Sequence, residues 1–186
     1  DLIIDSDHMM AISPDEGGTS RAVYLANVLG LDMGMFYKRR DYTQIVDGRN
    51  PIVAHEFLGS SVEGKDVIII DDMISSGDSI IDVATELKRR KAKRIFAAAT
   101  FGLFTNGLDK FDKAYEEGII HGILTTNLIY QTPELLSRPY YINCDLSKYI
   151  ALLIDTLNHD GSISSILSPN ERIQHVVQKY KNGEPI

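Results

Sequence analysis

The chain has 186 residues, of which 44% are hydrophobic, and a formal net charge of −7. These values suit one soluble globular domain and exclude a membrane-spanning helix, because no apolar run reaches the roughly 18 residues that a span needs. The acidic balance argues against nucleic-acid binding through bulk electrostatics, and the acidic first residues are unlike a signal peptide.

Apolar runs alternate with helix-period segments along most of the chain. Strands are predicted at His8–Ser13, Asp32–Lys38, Asp66–Asp71, Arg94–Gly102, Ile119–Asn127 and Tyr140–Cys144, and helices at Thr19–Gly30, Asp78–Arg90, Gly107–Gly118 and Asp145–Asp160. This alternation predicts an α/β fold with a parallel sheet, right-handed crossovers and helices on both faces. The single cysteine, Cys144, excludes an internal disulfide and fits a reducing compartment, so we expect a cytoplasmic protein.

Two segments depart from this alternation. Arg39–Gly64 shows no clean period, and a connection of that length is usually functional, although Asn50–Gly59 could form one strand of a hairpin. The last segment, 169–186, is polar, and we expect it to be peripheral to a single domain formed by residues 1–168.

Two adjacent acids, Asp71 and Asp72, end a buried strand ahead of the turn "SSGDS" (Ser75–Ser79). Ligands of doubly wound sheets bind at the carboxyl ends of strands, and the backbone N–H groups of a helix N-terminus attract anions. Carboxylates would repel a phosphate but suit sugar hydroxyls or a divalent cation. The pattern indicates a sugar-phosphate site, and an ordinary serine-capped helix start remains the alternative.

The stretch "VIIIDDMISSGDSI" (67–80) resembles the phosphoribosyl-binding motif of the class I phosphoribosyltransferase fold. Further segments, in order, resemble the ribose-phosphate pyrophosphokinase family: "SPDEGGTSRAVYLANVLG" (Ser13–Gly30), "YKRR" (Tyr37–Arg40), "ATFGLFTNG" (Ala99–Gly107), "TTN" (Thr125–Asn127) and "NHDGSISSILS" (Asn158–Ser168). The resemblance reaches from Ser13 to about Ser168 and corresponds to the C-terminal half of that two-domain family.

The resemblance implies a reaction and a set of roles. Members transfer the pyrophosphoryl group of ATP to ribose 5-phosphate with Mg²⁺, and they assemble as homo-oligomers. Lys38 and Arg40 would be catalytic and Asp15 would lie near the metal, a set that fits pyrophosphoryl transfer, which needs cations on the moving group. The ribose hydroxyls and the 5-phosphate would be bound by Asp71, Asp72, Ser75, Ser76, Gly77, Asp78 and Ser79.

Three departures from the family pattern leave other interpretations open. Asp78 replaces a glycine of the phosphate loop, where its backbone N–H could still donate while its side chain turns to solvent, and Phe101 replaces a histidine. The first half of the family, which supplies the adenine contacts and another metal ligand, is not matched, so we expect the chain to be inactive alone. The alternatives are a noncatalytic regulatory relative and a nucleobase phosphoribosyltransferase, which "SPDEGG" and the region after Asn127 fit poorly.

Overall fold

A computed structural model describes residues 2–40 and 52–185, with the backbone alone described for 38–40, 52–55 and 165. The strands are β1 (Met9–Ser13), β2 (Asp32–Arg40), β3 (Ile52–Leu58), β4 (Asp66–Ile74), β5 (Ile95–Gly102), β6 (Gly122–Thr126) and β7 (Tyr141–Cys144). The helices are α1 (Thr19–Leu29), α2 (Asp78–Arg89), α3 (Asp109–Glu116), α4 (Pro133–Leu136), α5 (Ser147–Asn158), α6 (Ser164–Leu167) and α7 (Asn170–Lys181).

The described strands form one seven-stranded sheet in the order β3-β2-β1-β4-β5-β6-β7. β3 is antiparallel to β2, and the other neighbouring pairs are parallel. The chain moves from β1 to β2 in one direction and from β4 to β5 in the other. Because crossovers of this kind are right-handed, α1 and α2 lie on opposite faces. The predicted α/β fold is thereby confirmed, and the strand order reverses between β1 and β4, where such folds bind ligands.

The core lies largely between the sheet and the helices α2 and α3. The apolar stripe of α2 is buried at Ile80, Val83, Ala84 and Leu87, which recur at helical spacing, and Phe111 of α3 is fully buried. β4 supplies two fully buried positions, Val67 and Ile69, in the middle of the sheet. The strand that carries the two acids is therefore fixed by this core and by its pairing with β1 and β5.

The C-terminal helix α7 lies against α1 and contains no buried residue. The hydroxyl of Tyr24 donates to Oδ1 of Asn170 at 2.8 Å, and the hydroxyl of Tyr180 donates to the backbone oxygen of Leu2 at 2.8 Å. α7 thus joins the start of the chain to α1 through surface hydrogen bonds. Across residues 2–40 and 52–185, no helix has the length and apolar character to cross a membrane.

Two element boundaries differ from those predicted in ways that matter for the site. β2 extends to Arg40 and pairs with β3, so the hairpin suggested for Asn50–Gly59 is confirmed, while residues 41–51 lie outside the described part of the chain. β4 continues through Asp71 to Ile74, since its pairing with β5 continues as far as Gly102. Asp72 therefore lies inside the strand, which was predicted to end at Asp71.

Candidate functional site

The strand order brings most of the predicted site residues to one edge of the sheet. Asp15 follows β1, and Asp71 and Asp72 lie near the end of β4, which is the parallel neighbour of β1. The loop Ser75–Ser79 then leads directly into α2. Three sequence-predicted groups therefore meet at the carboxyl ends of two adjacent strands.

The adjacent acids differ in their electrostatic environment. Burial raises the pKa of Asp71, and the negative charges of Asp72 and Asp15 act in the same direction. The pKa of Asp72 is lowered by its hydrogen bond with Asp71 and by the positive charge of Arg21. The side chain of Asp72 is 54% exposed, so its ionised carboxylate is open to a ligand that donates hydrogen bonds.

Arg21 belongs to this site, although sequence reasoning did not single it out. Its Nη2 lies 3.5 Å from Oδ1 of Asp71 and 3.8 Å from Oδ1 of Asp72. Its Nε is buried and has no hydrogen-bond partner among the described residues. A sequence signal existed, since Arg21 lies in the first turn of the helix that follows the glycine pair Gly17–Gly18 at the neighbouring strand end.

Asp15 is built into the tight turn between β1 and α1. Its Oδ1 accepts a hydrogen bond from the backbone N–H of Gly18 at 3.1 Å, and its backbone oxygen accepts one from the buried hydroxyl of Ser13 at 2.6 Å. A β-carbon at Gly18 would lie 2.8 Å from Oγ of Ser13, so the turn requires glycine there. Asp15 is thus held in place by the turn, close enough to Asp71 to raise the pKa of that residue.

The donor set limits how this chain could bind a metal ion. Among residues 2–40 and 52–185, no three or more His, Cys, Asp or Glu side chains come together in a way that could hold one. Mg²⁺ is commonly bound by one or two carboxylates together with substrate phosphates and water. Asp15, which was predicted to lie near the metal, could serve in that mode of binding only together with substrate phosphates and water.

The loop Ser75–Ser79 is held by contacts with Phe111 and Thr105. Gly77 has φ +84° and lies against the ring of Phe111. The hydroxyl of Ser75 lies 3.4 Å from Oγ1 of Thr105, and the backbone N–H of Thr105 donates to the backbone oxygen of Ser75 at 3.0 Å. The segment between β5 and α3 therefore supports the loop from β4 to α2.

The exposed side chain of Asp78 has two hydrogen-bond partners. Its Oδ1 accepts a hydrogen bond from Nζ of Lys110, and its Oδ2 accepts one from the hydroxyl of Ser76 at 2.8 Å. These contacts lower the pKa of Asp78, the contact with Lys110 most. The side chain is 59% exposed, as the sequence allowed, and a lysine 32 positions later reaches its carboxylate.

The predicted catalytic residues lie on the hairpin arm of the sheet. The backbone of Lys38 pairs with His55 and that of Arg40 with Ile52, with an irregularity between Arg39 and Arg40. Their side chains lie outside the described part of the structure. Lys38 and Arg40 thus lie at the carboxyl end of β2. Their catalytic role stays a prediction.

A mostly apolar pocket of about 500 Å³ adjoins the acids on the face of the sheet that carries α1. Tyr24 and Leu25 of α1 line one side, and Asp71, Ala98 and Leu124 line the sheet side. Asp71 thus lies both among the acids at the carboxyl ends of the strands and in the lining of this pocket.

Comparisons with known proteins identify the family of this domain. The model of the phosphoribosyl transferase domain family matches residues 5–121. The ribose-phosphate pyrophosphokinase of Vibrio parahaemolyticus is 31% identical over 164 residues, 87% of this chain and 49% of that protein. The Mycoplasma pneumoniae protein of the same name is 29% identical over 88% of this chain and 48% of its own length. The chain spans about half the length of these curated relatives.

A solved structure matches the fold. The phosphoribosylpyrophosphate synthetase from Mycobacterium smegmatis superposes with a TM-score of 0.68 at 24% identity, covering 82% of this chain and 46% of that one. At this identity the likeness shows the fold alone.

Proposed function

Because the chain belongs to the phosphoribosyl transferase domain family, we propose that it forms the ribose 5-phosphate-binding, C-terminal half of a ribose-phosphate pyrophosphokinase. The whole protein would transfer the pyrophosphoryl group of ATP to ribose 5-phosphate, giving phosphoribosyl pyrophosphate and AMP. One observation carries the proposal: an exposed, ionised acid and its half-buried neighbour lie near the end of β4, two residues before a serine-rich turn into α2.

The two parts of this stretch suit different parts of the ligand. Ribose hydroxyls donate hydrogen bonds, which Asp71 and Asp72 can accept, whereas a carboxylate would repel a phosphate. The backbone N–H groups of the loop Ser75–Ser79 and the first turn of α2 suit the 5-phosphate, because they are donors at the positive end of a helix dipole. The spacing of acids and loop therefore fits a phosphorylated sugar better than either group alone.

The remaining roles extend the same proposal. Asp15 would contact Mg²⁺, which when bound neutralises charge on the reacting phosphates. Lys38 and Arg40 would stabilise the transferred group. The contacts to adenine would come from another part of the whole protein or from a second subunit, so we expect a homo-oligomer, and we expect residues 1–186 alone to be inactive.

The test is an AMP-release assay on the full-length gene product with ATP, ribose 5-phosphate and Mg²⁺. We expect AMP and phosphoribosyl pyrophosphate in equal amounts. Binding of ribose 5-phosphate without any AMP would instead support a noncatalytic relative. Release of pyrophosphate from phosphoribosyl pyrophosphate and a nucleobase, with no AMP from ATP, would support a nucleobase phosphoribosyltransferase.

A further inference from the structure

Two successive residues of helix α3 contact the loop Ser75–Ser79. Phe111 is fully buried and packs its ring against Gly77, while Lys110, the residue before it, donates a hydrogen bond to the carboxylate of Asp78. Gly77 and Asp78 are likewise successive. Two adjacent residues of one element thus contact two adjacent residues of the other.

The contacts leave neither carboxylate oxygen of Asp78 without a hydrogen-bond donor. Lys110 donates to Oδ1, and the hydroxyl of Ser76 donates to Oδ2. Both Asp78 and Lys110 line a groove between α2 and α3, together with Asp82 and Lys113. The carboxylate is therefore directed toward α3, on the face of the sheet opposite α1.

An uncompensated carboxylate in this loop would oppose its proposed ligand. A negative charge a few ångströms from a phosphate raises the free energy of the bound state, and a cation paired with that charge removes most of the repulsion. Most of the side chain of Asp78 is exposed, at 59%, so packing does not fix its direction. The ion pair with Lys110 and the hydrogen bond from Ser76 fix it, and of the two only Lys110 brings a positive charge.

We propose that Lys110 is a positioning residue of the phosphate loop, which holds the Asp78 carboxylate toward α3 and cancels its charge so that the loop amides remain able to bind the 5-phosphate. The inference rests on the proposed function of the loop. It adds that this chain tolerates an acid at position 78 only because a lysine stands at position 110.

The exposure of the pair makes the inference testable. Ion pairs between exposed side chains contribute little to folding stability. A variant at position 110 should therefore keep its fold, and a change in ligand affinity can be separated from unfolding. Lys113, one turn along the same helix and 74% exposed in a pair with Glu117, provides a matched control.

The experiment measures the affinity of full-length protein for ribose 5-phosphate and for inorganic phosphate by calorimetry, and the KM for ribose 5-phosphate. Four variants are compared with the wild type: Lys110→Met, Asp78→Asn, the double variant and Lys113→Met. We expect Lys110→Met to weaken both ligands by about tenfold and to raise KM with little change in kcat. Asp78→Asn in the same chain should restore affinity to within about threefold of the wild type, and Lys113→Met should change nothing.

Two results would overturn the inference. An unchanged affinity in Lys110→Met would show that the ion pair has no bearing on the anion. A double variant as weak as Lys110→Met would show that the lysine contacts the anion itself. In either case AMP release by the wild type would leave the proposed function standing, whereas a wild type that binds neither ribose 5-phosphate nor phosphate would end both.

Discussion

Gly77 lies so close to Phe111 that a β-carbon on the glycine would be 2.2 Å from Cζ of the ring. The ring is fully buried and meets Phe104 edge to face, with centroids 5.1 Å apart. The proposed phosphate loop is therefore built directly onto the hydrophobic core. Its conformation depends on packing as well as on the glycine torsion angles.

The substitution Gly77→Ala tests this dependence. Gly77 and Gly107 share a positive φ, of 84° and 77°, but a β-carbon at Gly107 would meet no atom within 4 Å. We expect Gly107→Ala to lower the free energy of unfolding by about 1–2 kcal/mol, the cost of left-handed backbone for a residue with a side chain. Gly77→Ala should cost at least about 1 kcal/mol more, because the ring must move. Equal losses in urea denaturation would contradict the role of Phe111.

The substitution Asp72→Asn separates the sugar from the phosphate. A hydrogen bond to a charged acceptor contributes about 1.5–3 kcal/mol, so ribose 5-phosphate should bind about 10- to 100-fold more weakly. Inorganic phosphate, which has no ribose hydroxyls, should bind as well as before. Asp82→Asn, at an exposed position of α2 in the groove that faces α3, serves as the control, and a parallel loss for both ligands would argue against a hydroxyl contact.

The catalytic role proposed for Lys38 and Arg40 can be tested by removing their two charges and, as a control, two charges elsewhere. We expect Lys38→Ala with Arg40→Ala to lower turnover of the full-length protein by about 10²-fold or more, with little effect on ribose 5-phosphate affinity. The control removes the same charge from the far end of α2, through Lys88→Ala with Arg89→Ala. If both double variants retain normal turnover, Lys38 and Arg40 have no catalytic role.

We expect the free energy of unfolding to decrease in mild acid because of His121. Burial lowers its pKa, the charges of Lys88 and Arg94 act in the same direction, and its Nδ1 accepts a hydrogen bond from the backbone N–H of Ile95 at 3.2 Å. Below about pH 6.5 the unfolded chain takes up a proton that the folded chain resists, so the free energy of unfolding should decrease as the pH falls.

The comparison that isolates this effect uses His121→Asn, whose side chain can accept the same hydrogen bond without titrating. Urea denaturation at pH 7.5 and pH 5.5 should show a smaller decrease in the variant than in the wild type. Nuclear magnetic resonance of the imidazole gives the direct check. A folded-state pKa of His121 at or above its ordinary value would contradict the argument.

The fold was predictable because its periodicities are local. The apolar run of β4 and the helical spacing in α2 lie within single stretches of sequence, and the alternation of such stretches led to the correct α/β fold. The place of Asp71 and Asp72 at the carboxyl edge followed from the same pattern. The extension of β4 beyond Asp71 to Ile74 did not, because it depends on how far β5 continues to pair with that strand.

The contacts that shape the candidate site were not predictable in this way. Arg21 reaches the acids from a helix 50 positions earlier, and Lys110 reaches Asp78 across 32 positions. Each pair forms only because the sheet places segments that are distant in the sequence next to one another at the carboxyl ends of its strands. Charge alone could not identify these partners, since many cations of this chain lie on its surface.

The order of strands also sets which parts of this molecule can open independently. β4 is bonded to β1 on one side and β5 on the other, whereas β3 is bonded to β2 alone. Backbone amides of a central strand exchange with deuterated solvent only in large-scale opening, and those of an edge strand exchange after local separation. The amides of β4 at Val67 and Ile69, which pair with β1 and β5, should therefore exchange more slowly than those of the edge strand β3, the partner of the β2 segment that carries Lys38 and Arg40.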